Sequence, residues 1–247
     1  MPNAPIGTQE ASQDQPPSEA LAPAWHTAGV LLLLLSLVAL SQLTLRSGQI
    51  GHAHSRVFGY LMTMAIEWLI VAFIWLGARW RGASLATLAG RFSLTLRSLA
   101  RDLGLAVAYL IAANIVLGII GALLGRFMHA ATNNSLKNLL PHTGLENAVF
   151  LLLALTAGIC EEMIFRGYLQ RQFTGWTRNT AAGIALQGIL FGAAHAYQGP
   201  PMMIVIAVYG CMFGSLACWR KSLRPGMAAH FLQDAIGGLV LAKFALK

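Results

Sequence analysis

From Trp25 onward the chain is a succession of apolar runs parted by short segments rich in Arg, Gly and Pro. Each run is close to the ~20 residues that a helix needs to cross hydrocarbon. A backbone in lipid has no water to satisfy its N–H and C=O groups, so runs of this length fold as helices that pack into a bundle. The candidate spans are 25–45, 57–78, 103–124, 147–169, 181–197, 201–219 and 226–244, the last three short or interrupted by polar groups. Hydrophobic residues make up 56% of the chain and charged ones 11%, with a mean hydropathy of +0.61, which excludes an ordinary soluble domain. The expected fold class is therefore all-α, a polytopic transmembrane helical bundle of about seven spans, within a range of roughly six to eight.

Residues 1–23 are polar, rich in Pro, Gln, Ser and Ala, and carry no Lys or Arg. They read as a disordered tail. Without the basic n-region of a secretory signal, the first apolar run is expected to be retained as a membrane helix, so that 24–247 forms one transmembrane domain. The formal net charge of +8 does not point to nucleic acid, because the basic residues sit in short loops where they set topology. Arg79, Arg81, Arg91, Arg97 and Arg101, then Arg171 and Arg178, then Arg220, Lys221 and Arg224 fall on one side; Arg46, Arg56, Arg126 and Lys137 fall on the other. The richer side is expected to be cytoplasmic, with the N-terminus inside. Segment 81–101 alternates Arg with Leu and Phe and reads equally as an amphipathic stretch at the membrane surface or as a basic connecting loop. Gly118, Gly121, Gly188, Gly192, Gly210, Gly214, Gly237 and Gly238 are candidates for close helix approach. Cys160, Cys211 and Cys218 lie in apolar runs and suggest no disulfide framework.

Ionisable groups at membrane depth usually face a bundle interior or a watered cavity. The candidates inside the last four spans are Glu161, Glu162, Arg166, His195, His230 and Asp234. On a helix Glu162 and Arg166 share a face four residues apart, while Glu161 is turned by about 100°. Neighbouring carboxylates resist simultaneous ionisation, and a nearby arginine favours charge on one of them; the pair divides into an electrostatic anchor and a free base. His195 follows Phe191 by four, so the ring can close over it. His230 and Asp234 stack at the same spacing, which lets the carboxylate accept from the imidazole and set its tautomer. Glu67, in the second span, has no basic neighbour and is expected to be neutral or paired across helices rather than catalytic. His52, His54, His129 and His142 fall in loops.

Two chemistries use such a set. A carboxylate can activate water directly, with one histidine sharing the proton and another stabilising an oxyanion. Alternatively Glu and two His can hold a zinc ion that polarises the water. The residues leave both open. No GxSxG occurs, and Cys160 reads as a small packing residue.

The ordered set Glu-Glu-x-x-x-Arg at 161–166, Phe-x-x-x-His at 191–195 and His-x-x-x-Asp at 230–234 resembles the CPBP family of intramembrane proteases, also called the Abi family. That family includes type II CAAX prenyl endopeptidases and bacterial proteins tied to bacteriocin processing or self-immunity. The resemblance covers roughly residues 145–240. It implies that Glu161 activates water together with His195, that Glu162 and Arg166 fix the site, and that His230 and the residue four later stabilise the oxyanion. This last position is often Asn in the family; Asp234 stands here, and an ionised Asp has no proton to donate, so it must be protonated or orient His230. The stretch Tyr209–Gly214 is similar to a less defined third motif, for which a packing role is expected.

The expected function is an intramembrane endopeptidase that cleaves a peptide bond by glutamate- and histidine-activated water, with no resident cofactor in the reading the resemblance implies. The expected partners are membrane lipids and a membrane-associated peptide or protein, lipid-modified if the eukaryotic branch is the guide. The chain's brevity and its Ala, Gly and Leu content point to a multi-pass protein of a bacterial inner membrane. The alternatives are a scaffold or immunity protein whose cavity binds a peptide or partner helix, and a small proton-relay transporter. The lack of an internal repeat counts against transport.

Overall fold

A computed structural model describes residues 20–46, 56–90, 94–127 and 139–245. The helices in chain order are α1 (Ala24–Arg46), α2 (Arg56–Arg79), the short α3 (Leu85–Ala89) and α4 (Leu96–Phe127). Then come α5 (Gly144–Glu161), continued through a π-helical segment (Glu162–Leu169) into α6 (Gln170–Thr177), followed by α7 (Thr180–Ala194), a 3₁₀ turn (Ala196–Gln198), α8 (Pro200–Arg220) and α9 (Arg224–Ala245). The described residues form an all-α bundle. Five helices are long and apolar enough to cross a membrane: 24–43, 56–79, 96–127, 144–177 and 200–220. The fifth expected span, 181–197, is matched by α7, which is apolar but only 15 residues long. The seventh, α9, has 22 residues and places His230, Gln233 and Asp234 among its apolar ones.

Local sequence sets the ends of these elements. Thr143 and Glu146 form a capping box at the start of α5, with Thr143 Oγ1 accepting from Glu146 N and Glu146 accepting from Thr143 N, each at 3.2 Å. Asn179 Oδ1 accepts from Ala182 N at 3.1 Å and starts α7. Pro200 and Pro201 open α8, where a missing N–H costs nothing.

α5 lies between α2 and α9, and α7 packs along α8. Small residues make these approaches possible. A Cβ at Gly158 would lie 2.9 Å from Met227 O and 3.0 Å from Phe231 N, so α5 and α9 touch backbone to backbone. Gly188 and Gly210 do the same for α7 and α8, a Cβ on Gly210 lying 3.0 Å from Gly188 Cα. Gly118, Gly121 and Gly237, also expected at close contacts, face nothing within 4 Å. The composition of a run does not reveal which of its faces meets a neighbour.

The basic loops meet at one end of the bundle, as the charge pattern implies. Asp102 sits 3.3 Å from Arg224 and 3.7 Å from both Arg101 and Arg220. Arg171 Nη1 donates to Thr87 O at 2.5 Å, and Leu223 N to Ala89 O at 3.0 Å. The described part of segment 81–101, expected as an amphipathic stretch or a basic connecting loop, holds α3 and the start of α4, and the α8–α9 turn docks on it. Residues 1–19, most of the expected tail, and His52, His54 and His129 lie outside the described residues. Leu21 and Ala22, assigned to that tail, are instead buried. Ala22 exchanges two main-chain hydrogen bonds with the Gln172 side chain, at 3.2 and 2.7 Å. An apolar Leu-Ala-Pro step ends the polar composition a few residues earlier than the first membrane helix does. His26 is also buried; its Nδ1 lies 2.9 Å from Tyr168 Oη and its Nε2 3.0 Å from Phe73 O, tying α1 to α2 and the π segment.

Candidate active site

The long helix that starts at the capping box changes its bonding pattern where the glutamates stand. Glu162–Leu169 is π-helical, and all eight of its residues are buried. Such segments are rare and frequently mark functional sites. Within it Glu162 Oε1 lies 2.9 Å from Arg166 Nη1, with both side chains fully buried. The contact is an ion pair by distance, although Nη1 is not aligned to donate a hydrogen bond. Arg166 is further enclosed by aromatic faces, its guanidinium carbon 4.2 Å from the Phe191 ring centre and 4.9 Å from that of Phe213. Its Nη2 donates to Gly210 O at 3.4 Å, a carbonyl that also accepts from Gln187 Nε2 at 2.8 Å. A buried charge needs this degree of pairing. The Tyr209–Gly214 stretch thus does more than pack, since its carbonyl and its Phe213 ring hold Arg166 in place.

His230 enters from α9. Its Nδ1 lies 3.2 Å from Glu162 Oε1. A carboxylate only accepts, so Nδ1–H is the donor. Nε2 faces the remaining acids, 3.7 Å from Glu161 Oε2 and 3.6 Å from Asp234 Oδ2. The expected hydrogen bond between His230 and Asp234 is therefore corrected. That separation is too long for one, and His230 makes its hydrogen bond to Glu162 instead. The reason is the backbone contact at Gly158, which brings Glu162 against the imidazole. Asp234 stays at the margin with 38% of its side chain exposed. Phe213 stacks on the His230 ring at 5.4 Å, and Phe191 meets it edge-on at 5.9 Å.

His195 is the residue that ends α7. Its Nδ1 lies 2.8 Å from Phe191 O, which can only accept, so Nδ1 donates and Nε2 is left as the free nitrogen. The Phe191 ring lies 4.8 Å away, on the shared face that the spacing implies. His195 acts electrostatically on Asp234, and Tyr197, 5.9 Å from it ring to ring, is acted on by Glu161 and Asp234. Burial pushes the Tyr197 phenol up to about 12; a hydrogen bond from Gln198 works against this, and the two carboxylates add to it. All six expected residues thus belong to one neighbourhood. Glu161, Glu162 and Asp234 surround His230, and His195 joins across Asp234 and Tyr197.

Several members were not expected. Phe213, Gly210 and Gln187 build the arginine cage, and nothing in their spacing announces it. Tyr197 follows His195 by two and carries no motif. Glu67 of α2, set aside because it lacks a basic neighbour in sequence, lies within electrostatic reach of Glu161, His230 and Asp234. Among the described residues no three His, Cys, Asp or Glu side chains are arranged to hold a metal ion. One small apolar hollow lies beside this site, between α1 and the Phe165, Leu190 and Ala194 side chains.

Residues 143–236 match the family model of the type II CAAX prenyl endopeptidase Rce1-like proteins. The match covers less than half of the chain, and over that segment the chain is similar to those proteins. It runs from the cap of α5 into α9 and takes in Glu161, Glu162, Arg166, His195, His230 and Asp234. No curated protein and no solved structure matches the chain. With its apolar helices and an Rce1-like protease segment, the chain is a multi-pass membrane protein.

Proposed function

We propose that the chain is an intramembrane endopeptidase in which Glu161 activates water. One observation carries this reading. The buried Glu162–Arg166 pair holds His230 by Nδ1, while Glu161 Oε2 lies on the Nε2 side of the same ring, buried and with no hydrogen-bond partner among the described residues. One carboxylate is committed to structure and its neighbour is left for chemistry.

In the first step Glu161 takes a proton from water and the oxygen bonds to the carbonyl carbon of the scissile peptide. His230, with a proton on each nitrogen, donates from Nε2 to the oxyanion. In the second step the proton held by Glu161 passes, with the help of His195, to the leaving nitrogen as the C–N bond breaks. No covalent acyl-enzyme forms. Asp234 sits on the Nε2 side of His230 and orients it toward the oxyanion. The substrate is a peptide tethered at the membrane, the N-terminus of the enzyme is cytoplasmic, and the basic end of the bundle faces the same compartment.

The test uses the purified full chain in detergent or vesicles with a library of membrane-tethered peptides. Glu161→Gln should lower cleavage by about 100-fold or more while leaving the thermal midpoint close to that of the parent. Cleavage that survives the substitution ends the water-activation role. Binding of a peptide or partner helix by both forms, without cleavage by either, supports a scaffold. A chelator arm decides the metal question: an unchanged rate supports direct activation, and a lost rate restored by zinc supports the metal-assisted route.

A further inference from the structure

The chemistry above comes entirely from the segment that matches the Rce1-like family. One buried acid of the same neighbourhood lies outside it. Glu67 is carried by α2, which packs against α5, and it is only 9% exposed. Its Oε2 is buried and has no hydrogen-bond partner among the described residues. His26, a buried ionisable side chain of α1, has by contrast a partner at each nitrogen. Glu67 lies within electrostatic reach of Glu161, His230 and Asp234, and of Cys160. The one buried guanidinium of the site, Arg166, is held by Glu162 and two phenyl faces. An unmade hydrogen bond in a dry interior is costly, and it is more so at membrane depth. The oxygen is thus a buried acceptor without a partner among the described residues, within electrostatic reach of the reacting groups.

A peptide entering such a site brings the matching group. Its backbone N–H groups leave water and need acceptors, and a buried carboxyl oxygen can accept such a hydrogen bond. We propose that Glu67 is a substrate-binding residue of this site, its free Oε2 accepting a hydrogen bond from an N–H group of the peptide next to the scissile bond. This rests on the hydrolase reading. The N–H group belongs either to a backbone amide or to a basic side chain, and both present the same donor.

The probe is the membrane-tethered peptide that the parent chain cleaves fastest. It is compared with versions N-methylated at each residue flanking the scissile bond and with versions whose Lys or Arg is replaced by norleucine. Glu67→Leu should raise KM about tenfold or more for the parent peptide and leave kcat within about threefold. The effect should vanish for one modified peptide, which identifies the donor as backbone or side chain. Glu67→Met also removes the acceptor, on a more flexible side chain of similar length. It should raise KM as the leucine variant does for the same peptides, and it carries the test if the leucine variant does not fold. An unchanged KM, a fall in kcat alone, or an equal rise for every peptide overturns the proposal. No cleavage by the parent chain, or cleavage indifferent to Glu161→Gln, brings down the hydrolase reading instead. Cleavage that needs Glu161 but not Glu67 brings down only this one.

Discussion

Replacing Arg166 with Met while keeping Glu162 isolates the central electrostatic feature of the bundle. The two side chains have no exposure and stand 2.9 Å apart. Removing one partner of such a pair leaves an uncompensated buried charge, which costs about 3–5 kcal/mol. The guanidinium also loses its places over Phe191 at 4.2 Å and Phe213 at 4.9 Å, worth roughly 1–2 kcal/mol together. Methionine returns part of this as apolar contact with the same rings. The net expectation for Arg166→Met is a loss of about 3–5 kcal/mol, a large share of the ~5–15 kcal/mol that holds a typical domain. Adding Glu162→Gln removes the stranded charge, and the amide oxygen still accepts from His230. The double variant should therefore recover about half or more of the loss, because replacing both partners of a buried pair is far milder than removing one. The assay is reversible unfolding in detergent followed by tryptophan fluorescence, with the four proteins forming a double-mutant cycle. A single variant within about 1 kcal/mol of the parent, or a double variant as unstable as the sum of the singles, would refute the argument.

Two further outcomes follow from packing and from Tyr197. Gly158→Ala sets a methyl group 2.9 Å from Met227 O, so the α5–α9 contact must open at a cost of about 1–3 kcal/mol. Gly118→Ala meets nothing within 4 Å and should be neutral or gain up to about 1 kcal/mol from helix propensity; thermal midpoints of the two variants check the contrast. For Tyr197 the folded phenol stands at about 12 against the ordinary 10.0. The folded state holds that proton more tightly, so its contribution to stability is full below about pH 10 and is lost as the pH rises to about 12. Tyr197→Phe should track the parent's midpoint from pH 5 to about 9 and part from it only in the alkaline limb; a divergence near neutrality would refute the assignment.

What could be read in advance followed from rules that act along one helix. Helical spacing places Arg166 over Glu162 and Phe191 beside His195. Apolar length and basic loops are enough for the bundle and for its charged end. What could not be read depends on how helices meet. The π segment has no spacing of its own in Glu-Met-Ile-Phe-Arg-Gly-Tyr-Leu. The partner of His230 is decided by a glycine on another helix, so the nearest carboxylate in sequence, Asp234, loses to Glu162, 68 residues away. Glu67 has the same lesson. Judged by its own helix it has no partner and no role, yet the packing of α2 on α5 sets it beside the two acids and the imidazole. An ionisable residue in an apolar run is best weighed against every other such residue in the chain, because lipid gives each of them the same reason to seek the interior. By that measure the seven ionisable residues singled out inside the spans were already a set, and only their order around His230 had to come from the fold.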